Sequence, residues 1–169
     1  MKKLIKRREI PAGNSVSDNA LLDRLYRSRH IKNSQELDRT LQSMLNPNQL
    51  HGIQHAVDLL VDAYQQQQKI VIVGDFDADG ATSTALSVLA LRMLGFTDVE
   101  YLVPNRFEQG YGLSIPVAEM AMEKGVQLLM TVDNGVSSFE GVAYLKEQGV
   151  KVLITDQIGR ASCRERVFR

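Results

Sequence analysis

The sequence has no tryptophan, one cysteine, four prolines and three histidines among its 169 residues. A lone thiol, Cys163, closes no internal disulfide, which excludes a small disulfide-stapled scaffold and agrees with a reducing compartment. No apolar run approaches the ~20 residues of a membrane span. The N-terminus, with Lys2, Lys3, Lys6, Arg7 and Arg8, also lacks the apolar core of a secretory signal. The expectation is a cytoplasmic protein without membrane association. Net charge is absent too, at +0, while 44% hydrophobic and 24% charged residues describe a soluble globular chain able to bury a sizeable core.

The zero total hides an asymmetry. Residues 1–40 carry ten Lys/Arg against five Asp/Glu, and residues 41–157 carry six against fourteen. A uniformly basic binding surface is therefore excluded, and the acidic middle calls for cations. The last stretch, Ile158 to Arg169, is basic and breaks the preceding pattern. Ile158 to Val167 reads as one frame of a common sequencing-library adapter, so residues 157–169 are expected to be a non-native tail. The alternative is a short anion-binding tail.

Organisation follows from periodicity. Residues 1–50 read as an arm and a helical lead-in. The basic arm, with Pro11, Gly13 and Asn14, is expected to be solvated rather than a nucleic-acid contact. Leu21, Leu22, Leu25 and Tyr26 mark one helix. Asn33 with Glu36 opens a second, carrying Leu37, Leu41 and Leu45 and ended by Pro47. A longer amphipathic helix is expected over His51 to Gln68.

From residue 69 the pattern alternates between short apolar strands and helices. Strands are predicted at Ile70–Val73, Val99–Val103, Leu128–Val132 and Val152–Thr155, and helices at Ala81–Leu94, Ile115–Lys124 and Phe139–Gln148. Gly95, Gly125 and Gly149 stand where helices end in left-handed geometry, and Ser137 with Glu140 forms a capping box for the last helix. The fold class is thus α/β, a parallel sheet covered by helices, occupying residues 51–156.

In such sheets, ligands bind beyond the carboxyl ends of the strands. Those ends carry Asp75, Asp77 and Asp79 after the first strand, Asp133 after the third and Asp156 after the fourth. One aspartate after a strand is ordinarily a helix cap. Acids from three strand ends repel unless cations share the site, so the group predicts oxygen-ligated divalent metal. Gly74 and Gly80 are expected to bend the backbone around the acids and leave a helix N-terminus open to an anion. Two ions there could activate water against a phosphodiester.

The opening Asp-x-Asp-x-Asp-Gly also fits a calcium loop, but the twelfth position is Leu86 and the flank is a strand. No Gly-Lys-Ser/Thr follows the first strand, which excludes a Walker loop. His51 and His55 lack a third ligand and are read as solvated or capping residues. Arg106, after the second strand, offers a donor fork suited to phosphate, with a salt bridge to a nearby acid as the equal alternative.

Val73-Gly74-Asp75-Phe76-Asp77-Ala78-Asp79-Gly80-Ala81-Thr82 resembles the first motif of the DHH phosphoesterases, in their single-strand-specific DNA exonuclease branch. The stretch from Val103 to Ser114 resembles a second signature of that branch, and Thr131 to Ser137 the next aspartate motif. The resemblance covers residues 1–156. It implies a manganese- or magnesium-dependent hydrolase, with two ions, that removes nucleotides from the 5′ end of single-stranded DNA in recombination and repair. Partners in repair or replication would accompany that role.

Asp77, Asp79 and Asp133 are the implied catalytic metal ligands, Asp156 a ligand or close support, and Asp75 a weaker candidate. The family's third motif continues Asp-His-His, whereas Asp156 here precedes Gln157 and Ile158; Val73 also replaces a histidine common in the first motif. Little nuclease activity is therefore expected of this chain. Two alternatives remain open. One is another hydrolase of the family, acting on oligonucleotides, cyclic dinucleotides or pyrophosphate; the other is a non-catalytic DNA-binding module.

Overall fold

A computed structural model describes residues 9–44 and 46–156. The chain divides between His51 and Gly52 into two units. In the first, helix α1 spans Ala20–Ser28, with Asn19 accepting hydrogen bonds from Leu21 N and Leu22 N as its cap. The expected second helix is absent from the described residues. Asn33 does accept from Glu36 N, but the cap opens only a short 3₁₀ turn, Ser34–Leu37. Asp38 Oδ1 then accepts from Thr40 N, a local turn that competes with helical bonding, and a separate turn follows at Leu41–Ser43. Leu37 and Leu41 consequently do not share a helix face. Leu45, the basic arm through Arg8 and the tail from Gln157 lie outside the described residues.

The second unit holds the sheet. Helix α2 (Ile53–Gln65) leads into β1 (Ile70–Val73), followed by α3 (Ala78–Met93), β2 (Val99–Leu102), α4 (Ile115–Glu123), β3 (Leu128–Val132), α5 (Phe139–Glu147) and β4 (Lys151–Thr155). Strand order is β2-β1-β3-β4, and every pair is parallel. The predicted strand positions hold to within one residue. α2 is shorter than expected, starting after Gly52 at φ 76 and stopping at Gln65, with Gln67 at φ 51.

Two apolar clusters sandwich the sheet. Ile70, Ile72 and Leu128 pack with Ala63 of α2 and Val88 and Leu91 of α3. Val71, Val73 and Leu129 pack with Val117 and Ala121 of α4 and Leu145 of α5. This arrangement follows from connection handedness. The step from β1 to β2 runs one way along the sheet, and the step from β2 past β1 to β3 runs the other. Right-handed crossovers therefore put α3 and α4 on opposite faces. The chain reverses direction between β1 and β3, so a crevice opens there at their carboxyl ends.

Gly95, Gly125 and Gly149 adopt φ values of 97, 75 and 79, as their positions predict. The capping box at Ser137 does not form. Ser138 stands at the N-cap without a side-chain cap bond, because its Oγ instead accepts from Leu113 N, 3.0 Å away in the loop after β2. Among the described residues, no helix is long and apolar enough to cross a membrane.

Candidate metal centre and phosphate site at the strand ends

The acidic loop after β1 is shorter than its sequence implies, because α3 begins at Ala78 rather than Ala81. Asp77 is the N-cap, its Oδ1 accepting from Gly80 N at 3.0 Å. The helix N-terminus expected to be open to an anion is thus capped by the chain's own carboxylate. Asp79 lies in the exposed first turn, where a negative charge complements the helix dipole. Gly80 does not bend a loop; it sits inside α3 because a Cβ there would strike the backbone of Asp75. Gly74 has the same reason, meeting the side chain of Thr84.

Asp75 turns inward. It is 8% exposed, and its Oδ1 accepts from Phe76 N at 2.8 Å. Nη2 of Arg106, carried by the loop after β2, lies 3.1 Å from both Asp75 oxygens. The same guanidinium rests 3.7 Å above the centre of the Phe76 ring and 5.3 Å from that of Tyr111. The salt-bridge alternative for Arg106 is therefore realised, through one of its nitrogens.

After β3 the chain turns sharply, with Asp133 at φ 58 and Gly135 at φ 108. A Cβ at Gly135 would lie 2.7 Å from Thr131 Oγ1, so only glycine fits this turn without displacement. Asp133 N donates to Thr155 O at 3.0 Å, and Asp156 Oδ2 accepts from Val136 N at 2.9 Å. Asn134, 1% exposed, donates through Nδ2 to Val73 O at 3.0 Å and Val132 O at 2.9 Å. All four strand-end loops are thus tied to a neighbour.

Tyr111 joins this group without having been singled out by sequence. Although the residue as a whole is 60% exposed, its phenol is pushed above the usual tyrosine range, first by partial desolvation of the hydroxyl and then by the charges of Asp75, Asp156 and Asp133, with Arg106 opposing them. Acids from three strand-end loops thus act on this one hydroxyl. The signal that could have found Tyr111 was its place between Gly110 and Gly112, whose φ values of 82 and 69 direct the loop back toward the rim.

The donor chemistry of the rim, hard carboxylate oxygen, fits manganese or magnesium. Asp79 has no hydrogen bond or ion pair to its carboxylate among the described residues, and Asp77 engages only one of its oxygens. However, among the described residues no three His, Cys, Asp or Glu side chains lie close enough to hold a metal ion together. The acids line one rim without forming a closed cage. Asp75 is committed to Arg106, which separates it from the more exposed acids. Among the described residues, His30, His51 and His55 belong to no group that could hold a metal ion.

The model of the DHH family, N-terminal domain, matches residues 69–162, a span that includes the strands and strand-end loops just described. The chain belongs to the DHH family. Over 156 residues it is 84% identical to the single-stranded-DNA-specific exonuclease RecJ of Haemophilus influenzae, covering 92% of this chain and 27% of that relative. A crystal structure of exonuclease RecJ bound to manganese superposes with a TM-score of 0.62 at 37% identity, covering 69% of this chain and 30% of that one. RecJ of Thermus thermophilus in complex with Mn2+ gives 0.57 at 33% identity, covering 80% and 19%. The chain spans about a quarter of the length of the curated relatives it matches. The DHH assignment accords with the α/β architecture and with the strand-end placement of the acidic motifs.

Proposed function

We propose that residues 51–156 form part of the DHH domain of a metal-dependent 5′ to 3′ exonuclease acting on single-stranded DNA, with residues 1–50 as its lead-in. What supports this reading is the placement of Asp77, Asp79, Asp133 and Asp156 just beyond the carboxyl ends of β1, β3 and β4, about the β1/β3 reversal. The similarity to the Haemophilus influenzae and manganese-bound relatives supports the substrate and the metal.

Asp77, Asp79 and Asp133 would hold the ion or ions, with Asp156 beside them. A divalent cation held there would supply a water nucleophile at neutral pH and offset charge on the phosphodiester. The protein's own groups would do the rest. Arg106, anchored by Asp75 through Nη2, keeps Nε and Nη1 for a phosphate oxygen, and Phe76 fixes the plane of the fork. A role in recombination and repair, and a cytoplasmic location, belong to the same reading.

The 169-residue chain itself is expected to have little activity, since Gln157 and Ile158 stand where the family motif has two histidines, and residues 157–169 read as a non-native tail. The test is digestion of 5′-labelled single-stranded DNA with manganese. It compares this chain with one continued past Asp156 by the corresponding sequence of the Haemophilus influenzae relative. Activity in the continued chain alone supports the proposal. Equal, robust digestion by the 169-residue chain refutes its inactivity, and no digestion by either refutes the exonuclease reading.

A further inference from the structure

The geometry points to Asn134 as the positioning residue that sets the separation between the acidic loop after β1 and Asp133 after β3. The β1/β3 ladder ends at the pair Val73 and Thr131. Beyond it no register pair joins the two strands, yet the chains must stay in step for two residues more to present Asp75 to Asp79 on one side and Asp133 on the other. The Asn134 amide bridges this gap, giving one hydrogen to Val73 O at 3.0 Å and the other to Val132 O at 2.9 Å. Each carbonyl belongs to the last residue of its strand. The side chain thus replaces the missing ladder bond at the point where the sheet releases its functional loops.

A buried asparagine could serve only to satisfy two carbonyls. Among the described residues its own Oδ1 has no hydrogen-bond partner and is shielded from solvent, so the side chain is turned to serve the two carbonyls rather than its own oxygen. Asn134 also follows Asp133, whose left-handed φ of 58 is uncommon for a residue other than glycine. Fixing Asn134 fixes the peptide that orients the Asp133 carboxylate. An apolar residue of similar size would remove both of these bonds, and an aspartate would turn oxygen toward oxygen.

The consequence for metal affinity rests on the proposed function; the tie between the loops does not. The experiment uses the full chain and Asn134→Ala, Asn134→Ser, whose single hydroxyl can serve one carbonyl, and Val117→Ala. The last removes packing at a buried site on α4 and controls for lost stability. Manganese binding is read by electron paramagnetic resonance, with thermal melting alongside. Asn134→Ala should weaken manganese binding about tenfold or more, as supporting residues around metal ligands commonly do. Asn134→Ser should be intermediate, and Val117→Ala should bind as the parent does despite its lower melting temperature.

Parental affinity in Asn134→Ala, or an equal loss in Val117→Ala, overturns the metal consequence. Amide hydrogen exchange tests the tie itself. Asp133 and Gly80 should exchange about tenfold faster in the Asn134 variants while Val71 and Leu129 do not change. Uniform acceleration, or none, overturns the positioning role. If the parent chain binds no manganese, the metal reading fails for this chain and the exchange result decides the inference alone.

Discussion

Arg106 and Asp75, 31 residues apart, meet across the loops after β2 and β1, with Nη2 3.1 Å from each carboxylate oxygen. Asp75 is 8% exposed, so its carboxylate oxygens are engaged by this partner and by Phe76 N more than by water. The Arg106 side chain is more accessible and gains from the Phe76 ring beneath it. A double-mutant cycle with Asp75→Asn and Arg106→Gln, followed by urea unfolding, should give a coupling of about 1–2 kcal/mol, between exposed and buried pairs. Asp75→Asn alone should also free Arg106 and increase its contribution to single-stranded DNA binding, measured by fluorescence anisotropy.

Glycine at position 80 is a steric requirement within a helix. Alanine would ordinarily favour α3 by about 1 kcal/mol over glycine. Here its Cβ would strike the Asp75 backbone, which has no rotamer with which to yield. Gly80→Ala should therefore destabilise by about 1–3 kcal/mol, the range of overpacked cores, rather than stabilise. Gly141→Ala, which would meet Leu113 O from α5, should behave alike. Thermal or urea melts of both variants check the sign, and a rise in stability in either would show that the loops yield.

Much of this fold is legible in the sequence because its strands are short and the two central ones are covered on both faces. Ile70 to Val73 and Leu128 to Val132 read as continuous apolar runs, and the terminal glycines mark where helices must stop. The start of α3 is harder to read, since Asp77 and Asp79 suit a loop as well as a cap and first turn. The lead-in misleads because helical spacing of Leu37 and Leu41 is outweighed by the local turn at Asp38 and Thr40. At the site, strand-end aspartates are visible one loop at a time. The pairing of Arg106 with Asp75, the bridge made by Asn134 and the place of Tyr111 arise only when distant loops meet.

Glu100 gives the sheet an acid-sensitive edge. Hydrogen bonds from Lys124, at 2.7 Å, and then Lys69 hold its carboxyl at about 2, below its ordinary 4.5. A depressed carboxylate contributes stability that is fully present above 4.5 and is lost as pH falls toward about 2. Glu100→Gln should flatten this part of the stability-versus-pH curve and leave the neutral region less affected. Urea midpoints measured from pH 6 to pH 2 check it; parallel curves for parent and variant would exclude the network as the cause.

Tyr111 imposes the opposite limb. Partial desolvation of the hydroxyl and the charges of Asp75, Asp156 and Asp133 raise its phenol above the ordinary value of 10.0. A group raised on folding contributes stability that is present below 10.0 and lost as pH climbs through its folded value. Absorbance at 295 nm follows the five tyrosines together, and subtracting Tyr111→Phe isolates this one. Its titration should lie above that of an unstructured tyrosine and move back toward it in Asp75→Asn.

Asp77 is asked to do two things, and two substitutions separate them. As the cap of α3 it needs only an oxygen to accept from Gly80 N, which asparagine supplies as well as aspartate. As a metal ligand it needs the negative charge, which asparagine lacks. Asp77→Asn should therefore melt within about 0.5 kcal/mol of the parent, whereas Asp77→Ala should lose about 1 kcal/mol. Both should lose manganese affinity, read from the resonance of free Mn2+. If Asp77→Asn binds manganese like the parent, Asp77 is a helix cap alone and the ion must rely on Asp79, Asp133 and Asp156.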